Sequence, residues 1–295
     1  MDLKTICYED LPALTEIARE SLIYDRITAS IIAEKIFEEP HYRPDHSLKA
    51  LKDGQIVSFM VGHVDDEKTG WIKVFATHPQ FRRRGYAKAL LKELEERFRS
   101  DGAKKIRTMD CVPNYLSAGI DPRYTEAVVM FERSGYTRVD DRVDMLCRLD
   151  QDLSTEQEED RLARMGLAVR RITEADQDSL FEMVAKHWPS WRYECENGIK
   201  NDPPSVHIAL DEDRVVAFSV YEGNNKGIGW FGPMGTDPEY RGCKIGEILL
   251  KRCLADIRSL GHTEAIIPWV GPISFYLNTV NAHVYRVFWV FEKNL

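Results

Sequence analysis

VFATHPQFRRRGYAKALL, residues 74–91, is the most informative segment of this sequence. A β-rich run leads into a short loop of arginines and a glycine, and the loop leads directly into a helix-forming stretch. The first N–H groups of a helix have no partner inside the helix and carry the positive end of its dipole. Small residues at Gly85 and Ala87 would let an anion reach these groups, and Arg82–Arg84 add positive charge. The segment therefore predicts a polyphosphate site at a helix N-terminus.

The chain repeats itself at a fixed spacing. QIVSFMV at 55–61 reads against RVVAFSV at 214–220, an offset of 159 residues, and the same offset places Trp71 on Trp230. It also places the informative segment on a second loop, DPEYRGCKIGEILL at 237–250. Nearer the start of the chain the offset is 166, as from Asp10 to Asp176. A register held this long indicates that one fold unit has been duplicated.

Both halves have the same order of predicted elements. An amphipathic helix and two alternating strands precede a third strand, the Gly/Arg loop and its helix, and then a strand, a short helix and a final strand follow. This alternation indicates two α/β (α+β) units, each with a mixed sheet. An acidic run nearly free of large apolar side chains separates them. We predict an N-terminal domain over 1–150, a linker with a solvated helix over 151–166 and a C-terminal domain over 167–295.

Composition narrows the function class. The 295 residues carry 40 Lys and Arg against 48 Asp and Glu, a net charge of −8, which lacks the basic footprint of a nucleic-acid binder. No apolar run approaches the roughly 20 residues that span a bilayer, and the start does not read as a signal peptide. The six cysteines form no CxxC pair, so neither a metal site nor a disulfide framework is indicated. We expect a soluble cytoplasmic protein with free thiols.

The order of these parts resembles one family. Arg82-x-x-Gly85-x-Ala87, after a strand that ends in Thr-His-Pro, resembles the Gln/Arg-x-x-Gly-x-Gly/Ala motif of the GCN5-related N-acetyltransferases (GNAT), and residues 237–250 look like the same motif. The resemblance covers nearly the whole chain and implies two tandem acyl-CoA N-acyltransferase (GNAT) domains that use acetyl-CoA. In that family two central strands splay apart to admit the pantetheine arm, and the loop holds the pyrophosphate. The resemblance thus implies a cofactor site at Phe75, Ala76, Thr77, Arg82, Arg83, Arg84, Gly85, Tyr86, Ala87 and Lys88.

The two halves depart from the family pattern in different places. In the second loop Lys244 stands at the position of Gly85, where its side chain would crowd a phosphate. The second site that the resemblance implies is Met234, Gly235, Thr236, Arg241, Gly242, Cys243, Lys244, Ile245 and Gly246. The Phe-Tyr pair, whose tyrosine protonates the leaving thiolate in the family, is kept as Phe275-Tyr276. In the first half Phe131, which has no proton to give, replaces that tyrosine.

The first half contains a longer loop. Arg82 and Phe131 are 49 residues apart, whereas Arg241 and Tyr276 are 35 apart, so the first half has 14 extra residues between Cys111 and Tyr124. We interpret this loop as a lid or acceptor wall, or as an ordinary loop packed by its aromatic residues. Besides Tyr276, the candidate proton donors are Tyr115 and Tyr124. The third strand has no carboxylate, so the candidate bases are Asp110, His63, His78 and Glu126.

These residues predict an acetyl-CoA-dependent N-acetyltransferase that acts on a small amine or on a protein amine. The donor is expected mainly in the N-terminal half, and the chain is a monomer of two pseudo-symmetric domains or a homodimer, with no nucleic-acid or membrane partner. One alternative is a catalytically weak acyl-CoA-binding or sensing module with one or both halves structural. Another is N-myristoyl- or aminoacyl-type transfer on the same duplicated fold. Fold analogy by itself cannot choose the acceptor.

Overall fold

The computed structural model describes all 295 residues, which divide into two compact units. The first contains Met1–Arg142 together with Val287–Leu295, and the second contains Val143–Arg286. This division differs from the contiguous domains 1–150 and 167–295 expected from the sequence. The difference has two parts. The last nine residues of the chain belong to the first unit, and the second unit already begins at Val143.

The first unit is a mixed α/β structure. Its elements are β1 (Asp2–Thr5), α1 (Leu11–Ser21), α2 (Ala29–Ile36), β2 (Ser47–Lys52), β3 (Gln55–Val64), β4 (Thr69–Thr77), α3 (Tyr86–Ser100), β5 (Lys105–Thr108), α4 (Thr125–Arg133) and the start of β6 (Thr137–Arg148). Strands β1 to β4 pair antiparallel in sequence order, and β5 pairs parallel with β4. Helix α2 was not predicted; the Thr28 side chain caps it by accepting the Ile31 N–H at 3.1 Å.

The apolar stripe of α3 packs on the sheet of the first unit. Leu90, Leu91, Leu94 and Phe98 are buried against residues such as Met60 and Ile72. The ring of Phe98 lies so close to the sheet that a Cβ on Gly70 would stand 2.5 Å from it. Glycine at this position therefore lets helix and strand approach closely, and the packing fixes where α3 begins relative to β4.

Strand β4 has a bulge against β3 and separates from β5 before its own end. The β3–β4 register shifts after Val61, so that Lys73 is an extra residue in β4. Parallel pairing between β4 and β5 ends at Ile72 and Thr108, whereas β4 continues to Thr77. Met109, at a positive φ of 68°, follows immediately. The end of β4 therefore has an edge that β5 does not cover, as the family resemblance implied.

The second unit repeats this plan. Its elements are the end of β6, α5 (Glu156–Ala163), β7 (Leu167–Arg171), α6 (Gln177–His187), α7 (Arg192–Ile199), β8 (Val206–Asp211), β9 (Arg214–Tyr221), β10 (Phe231–Thr236), α8 (Ile245–Ser259), β11 (Glu264–Ile267), α9 (Ile273–Val280) and the start of β12 (His283–Asn294). Strands β7 to β10 pair antiparallel in sequence order, and β11 pairs antiparallel with the Met145–Arg148 part of β6.

The predicted linker is part of the second unit rather than a solvated spacer. Leu162 of α5 is completely buried in a core with Leu167 and Leu249, and Glu159 forms a bidentate ion pair with Arg252 at 2.6 and 2.7 Å. The acidic composition of 151–166 concealed the one leucine that anchors this helix. No helix of the structure has the length and apolar character needed to cross a bilayer.

Candidate active site

The loop of the first unit presents an open helix N-terminus. Gly85 precedes α3 at φ 86°, a left-handed conformation that favours glycine, and the first bond of the helix runs from the Ala89 N–H to the Gly85 carbonyl at 2.9 Å. A Cβ added to Gly85 would meet no atom within 4 Å. Gly85, Tyr86, Ala87 and Lys88 line a cleft, so the N–H groups at the start of α3 are suited to an anion.

The three arginines of this loop have different environments. Arg83 lines the space in front of α3, together with Lys88 from the first turn of that helix. Arg84 instead lies over the ring of Phe81, with its guanidinium carbon 5.4 Å from the ring centroid. Arg83 and Lys88, rather than three arginines, are therefore the cationic side chains that this segment offers beside the helix N-terminus.

Arg82 has a structural role that the sequence did not reveal. Its guanidinium donates to the Ser21 carbonyl at 3.0 Å and to the Thr77 carbonyl at 3.4 Å. The Ser21 hydroxyl also donates to the Thr77 carbonyl, at 2.9 Å. The expected phosphate ligand therefore ties the end of α1 to the end of β4, although it still contributes to the wall of the cleft.

A cleft of about 750 Å³ extends from this helix N-terminus along the uncovered end of β4. The inserted loop closes its other side: Ile120 and Trp289 exchange backbone hydrogen bonds at 2.8 and 2.9 Å, which fixes the loop to the first unit's part of β12. The residues predicted to hold the cofactor that line this cleft are Phe75, Ala76, Thr77, Arg82, Arg83, Gly85, Tyr86, Ala87 and Lys88. Leu116, Ser117, Gly119, Ile120 and Asp121 line it from the inserted loop.

Tyr124 is the predicted proton donor that the structure places in this cleft. Its hydroxyl donates to Asp25 Oδ2 at 2.6 Å and accepts the Tyr24 N–H at 2.9 Å. Asp25 also lines the cleft. Sequence reasoning missed Asp25 because it lies in the connection between α1 and α2, about 100 residues away from Tyr124, and no motif marks it.

Asp110 and Tyr115, two further candidates of the first unit, lie outside this lining. Asp110 is buried and pairs with Arg107 at 2.5 Å; burial raises its pKa and Arg107 only partly opposes this effect. Tyr115 is half-buried and does not line the cleft. Asp110 is therefore held as an ion pair, and Tyr124 rather than Tyr115 is the tyrosine that faces the cleft.

The two histidines have other partners. His63 is buried beside the Cys111 thiol, with Nε2 and Sγ 3.6 Å apart, and burial lowers its pKa to about 2. His78 contacts Glu20 at 2.9 Å and accepts the Gln80 N–H, so it caps a short turn. Only Glu126, among the remaining base candidates, lines the cleft, where it is exposed.

The corresponding region of the second unit is filled by its own side chains. Lys244 precedes α8 at φ 62°, a left-handed conformation like that of Gly85, and its side chain is exposed. A Cβ on Gly246 would stand 3.7 Å from both Met234 Cε and Phe275 Cζ, so these side chains lie over the first turn of α8. On β10, a Cβ on Gly235 would stand 2.5 Å from the Trp188 ring. Side chains of this unit therefore pack against the end of β10 and lie beside the first turn of α8.

Tyr276 lies inside the second core. It is 9% exposed, packs edge-on against Phe231 and Phe275, and burial raises its pKa to about 12. A separate cleft of about 590 Å³ lies in this unit between the 151–159 segment and the C-terminal half of α8. Its charged groups pair with one another, as Arg171 does with Asp256 at 2.7 Å, and it is remote from the α8 N-terminus.

The remaining predicted residues of the second loop follow the backbone plan of the first. Gly242 has a positive φ of 85°, and the Cys243 carbonyl accepts from Arg161 at 2.6 Å. Ile245 is buried at the start of α8. Arg241 and Thr236 occupy the positions of Arg82 and Thr77. The backbone of the motif is thus duplicated, whereas the space around it is not.

The same duplication is found by comparison with known proteins. The model of the Acetyltransferase (GNAT) family matches residues 11–119 and 169–287, which is most of both halves. The chain belongs to the GNAT acetyltransferase family. No protein with a curated description matches it.

Solved structures of other GNAT proteins share the tandem fold. A GCN5-related glucosamine N-acetyltransferase region of a fungal multi-domain GH3 β-N-acetylglucosaminidase superposes with a TM-score of 0.80 at 17% identity, over 99% of this chain and 38% of that longer one. A GNAT protein from Sphaerobacter thermophilus gives 0.73 at 18% identity, over 99% and 95%. A tandem GNAT protein from the clavulanic acid biosynthesis pathway gives 0.68 at 15%, over 99% and 98%. At these identities the likeness establishes the fold alone.

Proposed function

We propose that this GNAT protein is an N-acetyltransferase that binds acetyl-CoA in the cleft of the first unit and transfers the acetyl group to an amine. One observation carries the proposal: the first unit combines a helix N-terminus with an uncovered strand edge in a single cleft, whereas in the second unit the Trp188 ring packs against the end of β10. The second unit is then a structural partner.

The residues of the cleft suit the donor. The N–H groups at the start of α3, with Arg83 and Lys88, match the negative charge of a pyrophosphate. The edge of β4 that β5 does not cover offers main-chain groups to the amide-bearing pantetheine arm, in the manner of an added strand, although Ser21 and Arg82 already engage the Thr77 carbonyl. The thioester of acetyl-CoA supplies an activated acyl carbon, so the protein has to hold that carbon beside an amine and handle protons.

Tyr124 is the proton donor that we propose for the leaving thiolate. It faces the cleft from the residue before α4, where it compensates for Phe131, which is completely buried and has no hydroxyl. A neutral tyrosine is a weak acid, but a thiolate that develops beside it is a base strong enough to share its proton.

Acetyl-CoA binding and amine-dependent release of CoA test this function. Calorimetry should find one acetyl-CoA per chain, and a panel of amines that includes glucosamine and peptide amines should give CoA release above hydrolysis. Binding without turnover on any amine would favour the second candidate, an acyl-CoA-binding or sensing module, which the absence of a carboxylate on β4 supports. Mass spectrometry of the copurified ligand would distinguish an acetyl donor from a longer acyl chain.

We further propose that the protein works in the cytoplasm. All six cysteines are free thiols, four of them buried, which fits a reducing compartment.

A further inference from the structure

A carboxylate and a phenol meet at the wall of the donor cleft. The Tyr124 hydroxyl directs its proton to Asp25 Oδ2 at 2.6 Å, and the Tyr24 N–H, at 2.9 Å, occupies one of its acceptor positions. The rings of Tyr24 and Tyr124 pack at 5.1 Å. The hydroxyl is therefore oriented, because its donor position and one acceptor position are both used by groups from the α1–α2 connection.

This pair lies close to the strand edge proposed for the donor. The hydroxyl of Ser21, at the end of α1, donates to the Thr77 carbonyl at the end of β4. Arg82 donates to the backbone carbonyls of both Ser21 and Thr77. Asp25 follows Ser21 by only four residues, and the two residues line the same cleft as Thr77. The carboxylate thus belongs to a segment that is fixed to the end of β4.

Charged side chains of both signs surround Asp25. Arg123 grips Asp121 through two hydrogen bonds at 2.6 and 2.9 Å, while its guanidinium stacks over Tyr24 at 4.0 Å. The titratable and charged groups nearby in sequence or by contact are Arg19 from α1, Tyr24 and Arg26 from its own segment, Asp121, Arg123 and Tyr124 from the inserted loop, and Glu126 from α4. The cations that line the same cleft are Arg82 and Arg83 from the loop before α3, Lys88 from α3 and Arg133 from the end of α4.

We propose that Asp25 is the general base of the reaction and that the acceptor is an alkyl amine that arrives as an ammonium ion. The inference rests on the proposed function and supplies a base, which β4 lacks. Asp25 takes one proton from the ammonium, and the neutral nitrogen attacks the thioester carbon. The hydrogen bond between Asp25 and Tyr124 then reverses, so the Tyr124 proton passes to the departing CoA sulfur and the Asp25 proton restores the phenol.

The protons balance over the cycle. The ammonium nitrogen loses two protons as it becomes an amide: one reaches the CoA thiol through Asp25 and Tyr124, and the other leaves to water. The C–S bond breaks as the C–N bond forms, and no oxidant or further reactant is needed. An arylamine is already neutral near pH 7.5 and needs no base before it attacks. Comparing it with an alkyl amine therefore distinguishes proton removal by Asp25 from a contribution of Asp25 to amine binding.

The test compares kcat/KM for an alkyl amine and an arylamine in Asp25→Asn, Tyr124→Phe and the double variant, with Glu16→Gln on the exposed face of α1 as the control for loss of one carboxylate. Asp25→Asn should lower kcat/KM for the alkyl amine about 100-fold at pH 7.5 and leave the arylamine within about threefold. The loss should shrink as pH rises toward the amine pKa. The double variant should lose little more than Asp25→Asn alone, since both groups serve one relay.

Acetyl-CoA affinity and melting temperature are measured on the same samples to confirm that each variant is folded and binds the donor. Equal losses for the two amines, or an unchanged rate for the alkyl amine, would overturn the role of Asp25 while leaving the N-acetyltransferase function intact. If the unmodified protein binds acetyl-CoA but acetylates neither amine class, the proposed function fails and this inference fails with it.

Discussion

The two units share a backbone plan but differ in what fills the space before the loop helix. In the first, Gly85 leads into α3, and Leu22 and Ala76 leave a cleft beside β4. In the second, the matched positions hold Lys244, Trp188 and Gly235, with the Trp188 ring pressed on the strand. Glycine on β10 therefore serves packing of an aromatic ring rather than access for a ligand. Duplication preserved the backbone plan, whereas the side chains that pack beside the loop helix differ between the two units.

The largest expected effect concerns the stability of the second unit. Trp188→Ala should lower the free energy of unfolding by about 3 kcal/mol, because the ring packs on Gly235, Trp191 and Phe218. Leu22→Ala, the equivalent change in the first unit, should lower the free energy of unfolding by about 1 kcal/mol, since it removes fewer buried contacts. Chemical denaturation of both variants measures the difference. Equal losses would mean that the two positions are packed alike and would weaken the contrast between the units.

The next effect concerns the donor site. Gly85→Glu should weaken acetyl-CoA binding at least 100-fold, since it adds negative charge where the pyrophosphate is proposed and places a side chain at φ 86°. Lys244→Glu is the matched control, because Lys244 already adopts the left-handed conformation at the equivalent position. It should leave affinity within about twofold by calorimetry. The reverse order of effects would move the donor to the second unit.

A smaller effect separates the two tyrosines. Tyr124→Phe should lower kcat about tenfold with unchanged acetyl-CoA affinity, since the hydroxyl acts only as the thiolate develops and water can partly replace it. Tyr276→Phe should leave kcat unchanged, because that side chain is packed inside the second core. Steady-state kinetics with the best amine provide the comparison. A fall in kcat for Tyr276→Phe alone would assign catalysis to the second unit.

The smallest effect sharpens the comparison of the two N-terminal turns. Asp176 accepts from Arg170 and from the N–H and hydroxyl of Thr173, and these bonds lower its pKa. Its counterpart Asp10 accepts a hydrogen bond from the Cys7 N–H and forms an ion pair with Lys49. Burial raises the pKa of Asp10, but these two interactions outweigh it, so the pKa is lowered. A carboxyl group whose pKa is lowered by folding stabilises the fold at pH values above its unfolded-state pKa. This contribution is lost as the pH falls from the unfolded-state pKa through the folded-state pKa.

Asp176→Asn should therefore cost about 1 kcal/mol at neutral pH, and the difference from the unmodified protein should shrink from about pH 5 downward. Thermal unfolding at several pH values measures it. Asp10→Asn should show the same sign. A difference that grew on acidification would mean that these carboxylates are not stabilised in their charged form.

Local sequence accounts for the duplicated plan. The glycine at 85 and the apolar stripe of α3 are short-range signals, because left-handed backbone and helix periodicity depend on residues close together in the chain. The fixed offset of 159 residues shows that the same signals recur in the second half. The GNAT assignment followed from them. The sequence also predicted Tyr124 as one of several tyrosines, but it could not choose among them, since Tyr115 and Tyr276 have the same chemistry.

Long-range packing decided the rest. Asp25 and Tyr124 meet only because the inserted loop folds onto the α1–α2 connection, and Arg82 becomes a tether only because α1 ends beside β4. Residues 287–295 belong to the first unit because strand pairing is set by contacts between distant segments, as Glu292 with Arg107 shows, and no local pattern encodes such a partner. The sequence alone determined the family and the repeated fold. Tertiary structure determined which copy kept an open cleft, because that depends on whether side chains far apart in the chain fill the same space.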